Sequence, residues 1–405
     1  MTTGLIAPAL TGTARPGLCT DRGVSRIGDG RACGQACQFI QPDYPASESR
    51  AHGRSADDTR GEQAFFGVAQ KMLRARLTLP APGTQWTGIT TTLAQRLMKS
   101  GAVDAVLTVA TDCTDVWKPL PVIVTYPAAM AGVRGMRMGF APTLALLEPA
   151  AAAGHKRIAF IGIPCQVYAP RALKAEPGFE RIYVIGTPCS DNTATENFHV
   201  FLNLLDSKPE AIGYLEFRTD FKIELRYTDG RKPRAVPFLS LPISQLDPDF
   251  FPLTCKTCVD YTNRLADITL GYMGADGDQW LIVRNDRGAE QLALIAPQIT
   301  TRPLTDKGKR GGAVKGFLTN TELAAGGLPL RRMPNRLRPI VSFLQPRIVP
   351  RGLEFARARV EIKAAETVSH LRRTHPARMK NMVPAHVWRL VAKHGLTPGE
   401  DVKRP

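Results

Sequence analysis

No stretch of the 405 residues approaches the ~18 uninterrupted apolar positions that a membrane-spanning helix needs. The longest apolar stretches, such as Ile158 to Pro164, are strand-sized. The N-terminus, MTTGLIAPALTGTARPG, has no basic segment ahead of a long apolar core, so no secretory signal is expected. Cysteine is scarce: eight residues are far below the density of a disulfide scaffold. There is no internal repeat and no long low-complexity run. Acidic residues are also in short supply, 36 against 53 Lys and Arg, for a formal net charge of +17. What remains is 43% hydrophobic and 22% charged, the make-up of a globular chain with room for two packed domains or one large one. A reducing cytosol is the expected compartment, and clustered thiols there suggest metal or redox work.

The charge is uneven. From Arg331 to Pro405 there are 17 Lys and Arg against 5 Asp and Glu. Such a tail suggests an acidic protein, an anionic membrane face or nucleic acid as partner. Nucleic acid ranks last, because the basic residues lack interleaved aromatics and no recognised module accompanies them.

The periodicity predicts an α/β fold, becoming mixed α+β in the second half, around a mostly parallel sheet. Residues 17–45, rich in Gly, Cys and Pro, read as a loop-built module, and 46–60 as a polar linker. Thr87–Ser100 reads as a helix stopped by Gly101; Ala105–Ala110, Arg157–Ile163 and Ile182–Gly186 read as strands. Thr143–Ala153, Gln166–Leu173 and Thr193–Leu205 read as helices between and beyond them. Strands alternating with helices favour parallel pairing. Gly213–Arg218, Lys222–Thr228, Ala235–Phe238, Asp267–Gly271 and Trp280–Arg284 read as further strands, Pro329–Pro350 as extended, and Leu353–Leu371 as a basic helix. The division expected is 1–60 cysteine module and linker, 61–210 α/β domain, 211–335 β-rich domain, and 336–405 basic C-terminal extension.

Two cysteine groups carry the chemistry. Cys165 (IGIPCQV) and Cys189 (VIGTPCSDN) each follow a strand directly, where open α/β sheets build their sites. Cys255 and Cys258 form a CxxC. Four thiolates together suit a tetrahedral zinc or a cubane iron–sulfur cluster, and the spacing does not separate the two. Cys19, Cys33 and Cys37 form a second group with three soft ligands and no local fourth. Cys113 has no cysteine neighbour and reads as an ordinary thiol.

The strings LCTDRGVSR, CGQACQFIQPDYPASE, QWTGITTTLA, IPCQV, GTPCSDN, CKTCVDYTNRLADITLGYMG and IVRNDRG, with His52–Arg54, resemble the coenzyme F420 hydrogenase/dehydrogenase beta subunit family from about Gly17 to Ala365. Within it the likeness runs to the ferredoxin-dependent 3,8-divinyl (proto)chlorophyllide 8-vinyl reductases and the 7-hydroxymethyl chlorophyll a reductases. The resemblance implies FAD, 4Fe-4S clusters, ferredoxin as electron donor and a chlorophyllide-type tetrapyrrole as substrate. It implies one complete cluster on Cys165, Cys189, Cys255 and Cys258. A second would rest on Cys19, Cys33 and Cys37 only, because Arg22 stands where relatives read cysteine and a guanidinium cannot replace a thiolate. On this basis the enzyme is cytoplasmic or peripheral at a photosynthetic membrane, ferredoxin docks on the basic tail, and deazaflavin oxidation is an alternative activity.

For the flavin, Thr87, Gly88, Thr91 and Thr92 open a helix with small hydroxyl-bearing residues, a pattern that fits a pyrophosphate cradle or plain helix capping. Arg284 and Asn285, just after a strand, read as flavin contacts or as a structural ion pair. Gly139 and Thr143 match the family's flavin-pocket loop. His52, Asp191 and His199 are candidate proton donors, none singled out.

Overall fold

The structure, a computed structural model, describes residues 4–8, 37–39, 42–55, 57, 60–80, 84, 88–172, 178–218, 220–274, 277–323 and 333–398. In chain order the strands are β1 Leu5–Ile6, β2 Lys71–Leu77, β3 Ala105–Thr111, β4 Pro119–Val124, β5 Arg157–Gly162, β6 Arg181–Gly186, β7 Ile212–Phe217, β8 Lys222–Tyr227, β9 Arg234–Pro237, β10 Ile268–Gly271, β11 Gln279–Val283, β12 Ile299–Arg302, β13 Asp306–Lys307 and β14 Arg351–Gly352. Nine of them form one sheet, ordered β1-β4-β3-β5-β6-β10-β11-β2-β12.

This sheet is mixed, which corrects the expectation of a mostly parallel core. Only β3, β5, β6 and β10 run parallel, in the centre. The pairs β1–β4 and β4–β3 on one flank, and β10–β11, β11–β2 and β2–β12 on the other, are antiparallel. The sequence reading missed β4 because Pro119 and Pro121 read as breakers. Its pairing with β1 is confined to Ile123 and Val124, so Pro119 and Pro121 have a described strand neighbour, β3, on one side only. In β2 the signal was masked by Arg74 and Arg76. Yet Arg74 is buried within the sheet and meets the buried Asp278 carboxylate at 2.9 Å.

Period-two alternation sends each central strand's side chains to two cores. Ile158 and Phe160 of β5 join Val184, Trp280 and Ile282 on one face, against Val360, Ala364 and Val368 of the Leu353–Thr374 helix. Ala159 joins Val106, Ile185 and Leu281 on the other, against Leu93 and Leu97 of the Ile89–Lys99 helix. Each such side chain buried contributes about 1.5–3 kcal/mol. A third core joins the small β7-β8-β9 sheet to the Thr195–Leu205 helix through Phe198, Leu202, Ile223 and Leu225.

Two other expectations change. The polar segment taken as a linker holds the helix Tyr44–His52, started by the Asp43 side chain accepting from Ala46 N–H and ended at Gly53. Its sequence looks solvated, but Glu48 is buried against the buried Arg264 at 2.8 Å. In the stretch read as extended, Arg338–Ile348 is helical, with Pro339 in the first turn, where no N–H is needed. The basic C-terminal segment also supplies core: Ala356, Val360, Ala364, Val368, Leu371, Val387 and Val391 are all buried.

Candidate functional site

Both strand-end cysteines lie at one edge of the sheet. Cys165 sits in the first turn of the Pro164–Ala172 helix after β5, and Cys189 follows β6, which pairs with β5 in register through Gly162 and Gly186. Asn263 ties the two turns together. It is fully buried, adopts φ 58°, and donates its side-chain amide to Gly162 O (2.8 Å) and Thr187 O (3.2 Å). Asparagine is one of the few residues that tolerates that backbone conformation. The CxxC segment bonds to the turn that carries Cys189. Cys189 N–H donates to Tyr261 O (3.0 Å), and Cys258 N–H to Cys255 O (3.2 Å). Asn192 N–H donates to Cys255 Sγ (3.4 Å), which also lies 3.4 Å from Asn192 O.

The four thiols lie within electrostatic range of one another. Burial first, then neighbouring Cys255 and Cys165, push the Cys189 thiol well up. Burial, then Asp191, raises Cys255 to about 12; burial raises Cys258 to about 12 against the pull of Lys363, with Asp260 and Cys165 adding to the rise. The raised thiols of Cys189, Cys255 and Cys258 resist ionising alone, so they suit a cationic centre that takes up thiolate charge and displaces protons. Among the described residues no three Cys, His, Asp or Glu side chains stand at the spacing of a single metal ion. Four cysteine thiols are a soft donor set of the kind that holds a zinc ion or a 4Fe-4S cluster.

One helix clasps this edge. Arg359, Lys363 and Thr367, one turn apart on the Leu353–Thr374 helix, reach Ser190 Oγ, Asp191 Oδ1 (2.6 Å) with Cys255 O (2.7 Å), and Cys258 O (2.8 Å) respectively. They thereby touch both chain segments that carry Cys189, Cys255 and Cys258. Lys363 is buried, its ammonium between Asp191 and, at 4.0 Å, Glu366. The sequence reading missed this clasp. Its signal was two polar residues, Lys363 and Thr367, on the same stripe as Val360, Ala364 and Val368.

Of the second cysteine group, Cys19 and Cys33 lie outside the described residues, and Cys37 is half-buried against the main core. Its neighbour Gln38 bonds Cys258 Sγ at 3.7 Å and accepts from Tyr44 O–H at 2.8 Å. Cys37 thus sits one residue from a side chain that touches the quartet. Cys113 is exposed, as an ordinary thiol would be.

The expected flavin residues divide. Thr87 lies outside the described residues. Gly88 is the N-cap of the Ile89–Lys99 helix at φ 73°, a left-handed conformation that glycine adopts freely, with no side-chain cap. Ile89 N–H donates to Gln279 Oε1 (3.3 Å) at the start of β11, so this helix end faces the same edge as the cysteines. Thr91 and Thr92 are half-buried in its first turns. Gly139 O accepts from the Asn192 amide (2.7 Å), and a Cβ at Gly139 would meet Thr195 Oγ1 at 2.2 Å. Thr143, fully buried, accepts from Gln166, the residue after Cys165, at 2.9 Å. The 139–143 loop therefore lies against the quartet.

Arg284 is a brace. Its guanidinium is fully buried, and its three nitrogens donate to Thr269 Oγ1, Phe66 O, Val68 O and Thr262 O at 2.7–3.3 Å. Those five bonds use all five of its N–H groups and leave none for a phosphate. Asn285 caps the Asp286–Ile295 helix through Gly288 N–H and donates to Ala51 O and Asp267. Flavin contact and a structural ion pair are the two expected roles, and the bonds that the structure shows for Arg284 and Asn285 are all to groups of the protein itself.

The three candidate proton donors also separate. His52 bonds Arg264 O (2.8 Å), and burial, then Arg284, lowers its pKa to about 3, so it stays neutral. His199 pairs with Asp115 at 2.8 Å on the surface. Asp191 is held by Lys363 beside Cys255.

Comparison with known proteins agrees with this architecture. The beta subunit N-terminal model of coenzyme F420 hydrogenase/dehydrogenase matches residues 72–148, and the C-terminal model residues 155–307. The chain is 34% identical over 363 residues to an uncharacterized protein of Nostoc sp., covering 89% of each. It is 33% identical over 402 residues to the chloroplastic 7-hydroxymethyl chlorophyll a reductase of Oryza sativa, covering 96% of this chain and 83% of that one. A chain of the F420-reducing NiFe hydrogenase complex from Methanosarcina barkeri shares the fold, with a TM-score of 0.55 over 76% of this chain and 94% of that chain at 19% identity. The clasp helix lies beyond both matched segments.

Proposed function

Because the chain belongs to the coenzyme F420 hydrogenase/dehydrogenase beta subunit family, we propose that it is an iron–sulfur flavoprotein reductase that takes electrons from ferredoxin and reduces the C8-vinyl group of a divinyl (proto)chlorophyllide to ethyl. The observation that carries this reading is the meeting of Cys165, Cys189, Cys255 and Cys258 at the sheet edge that also bears the Gly88 helix end. In this reading the quartet holds one 4Fe-4S cluster, and Cys19, Cys33 and Cys37 hold a second, with Arg22 in the position of a fourth ligand. The Gly88–Thr92 helix start and the Gly139–Thr143 loop face FAD. When bound, these groups supply the conversion of single electrons into the two electrons and two protons that a vinyl reduction consumes.

The chain's own residues set the stage for that chemistry. Asn263 fixes the separation of the Cys165 and Cys189 turns. Arg359 holds the Ser190 hydroxyl next to Cys189, and Lys363 and Thr367 hold the Cys255 and Cys258 carbonyls. Lys363 places one cation beside three acceptors and so offsets thiolate charge at the site. Gln38 links the quartet to Cys37, the entry side for electrons. Among the described residues no helix is long and apolar enough to cross a membrane.

A second reading, reduction of the 7-hydroxymethyl group of chlorophyll a, is favoured by the likeness to the Oryza sativa enzyme over 96% of the chain. The test is anaerobic incubation of the purified protein with reduced ferredoxin and either divinyl protochlorophyllide or 7-hydroxymethyl chlorophyll a, with pigments separated by chromatography. A monovinyl product is expected. Turnover of the hydroxymethyl pigment alone would replace the first reading with the second, and turnover of neither pigment would sink both.

A further inference from the structure

The helix Arg338–Ile348 presents its apolar side outward. Ile340, Phe343, Leu344 and Ile348, spaced to share one face, are 58%, 66%, 42% and 66% exposed. The preceding Leu337 is 45% exposed. The opposite face, including Arg338, Ser342 and Gln345, is the more buried one, and the helix rests near the Phe238–Ser240 turn. Phe238 is itself partly exposed and pairs with Phe217 at 6.5 Å, which extends the apolar surface. Four large apolar side chains in a row on solvent are rare on a free surface and mark a contact site.

The charge along this stretch of the sequence has one sign. Between Glu322 and Glu354 the sequence holds six arginines and no Asp, Glu or Lys. Arg336 and Arg347 are exposed beside the ridge, and the Arg347 guanidinium lies 4.4 Å from the Phe343 ring centroid while donating to Phe343 O at 2.9 Å. A second copy of this chain would bring the same arginines face to face, on a molecule that already carries +17. A protruding ridge of Phe, Ile and Leu flanked by guanidinium groups matches what an anionic bilayer accepts: side chains enter the acyl boundary and cations meet the headgroups. At eleven residues, about 16 Å long, the helix is too short to cross and would lie in the plane of the interface.

We infer that the Arg338–Ile348 helix is an in-plane anchor that seats the protein on an anionic lipid surface through Ile340, Phe343, Leu344 and Ile348. The anchor stands independently of the cysteine site and of the reaction assigned to it. The test is co-sedimentation of the full chain with phosphatidylcholine vesicles, with and without phosphatidylglycerol. Wild type should bind the anionic vesicles and leave the neutral ones, and added salt should weaken binding. The double variant Phe343→Glu with Ile348→Glu should lose at least roughly tenfold in affinity while melting as wild type does. An Ile340→Trp variant gives a second readout: its emission should shift to the blue only with anionic vesicles. The inference is overturned if wild type ignores anionic vesicles, or if the double variant binds them equally. It is also overturned if light scattering shows the double variant dissociating a wild-type dimer that does not bind lipid, since the ridge then belongs to a second copy.

Discussion

Two neighbouring helices from the same basic tail obey opposite rules. Leu353–Thr374 turns Ala356, Val360, Ala364, Val368 and Leu371 inward and places Lys363 and Thr367 among them, where they bind the backbone of the cysteine loops. Arg338–Ile348 turns its large apolar residues outward and packs by its less apolar side. Net charge and composition do not distinguish them. What differs is which stripe has a partner inside the molecule. A polar residue on a buried stripe is held there by the groups it satisfies, and an apolar residue on an exposed stripe remains available to something else.

The sharpest way to break this contrast is at Lys363. Lys363→Met leaves Asp191 and the Cys255 carbonyl without their cation, and loss of one partner of a buried pair costs about 3 kcal/mol. A clear drop in denaturation midpoint is expected, together with lower iron retention after desalting, and Lys363→Arg should recover part of both. An unchanged midpoint would contradict the clasp.

Acid should act next, through two histidines that lie outside both helices. Burial lowers His52 to about 3, and burial with Arg264 and Arg389 lowers His386 well below its ordinary value. Both are neutral when folded and bind a proton more readily when unfolded. Their contribution is therefore complete above about pH 6.5 and is lost as the pH falls from there toward about 3, by a few kcal/mol. Urea midpoints measured downward from neutrality should fall, and His52→Gln should flatten the slope. The Arg338–Ile348 helix has only arginines to titrate and contributes nothing to that slope.

Smaller still is Thr367→Val, which removes one hydrogen bond to Cys258 O at nearly constant volume and should cost about 1 kcal/mol. Smallest is Ile340→Ser or Phe343→Ser on the outward ridge. These should move the midpoint by less than about 0.5 kcal/mol in the absence of lipid. A large loss there would mean that the ridge is covered within the molecule.

Much of this was legible in the residues. β3, β5, β6, β10 and β11 show as apolar runs bounded by turn signals, and the two Pro-Cys turns announce themselves by following β5 and β6 directly. The CxxC needed only the fold to bring it to them. What escaped was where polarity and burial coincide: Arg74 in β2, Glu48 in the Tyr44–His52 helix, and Lys363 in the clasp. In each case a charged side chain is buried because a distant partner waits for it, Asp278, Arg264 and Asp191 respectively, and pairing over such separations leaves no local periodicity. Arg284 is held over comparable separations. Its position after a strand suggested a ligand contact, whereas its acceptors are carbonyls more than two hundred residues upstream and only some twenty residues before it in the chain.

The central claim is that Cys165, Cys189, Cys255 and Cys258 share one cluster. Anaerobic iron and sulfide analysis with low-temperature EPR, on the wild type and on Cys189→Ala, tests it most directly. The account predicts a brown protein with acid-labile sulfide and a dithionite-reduced cluster signal, and a Cys189→Ala variant that loses that cluster while remaining folded. A colourless wild type carrying stoichiometric zinc, or a cluster signal indifferent to Cys189, would contradict it.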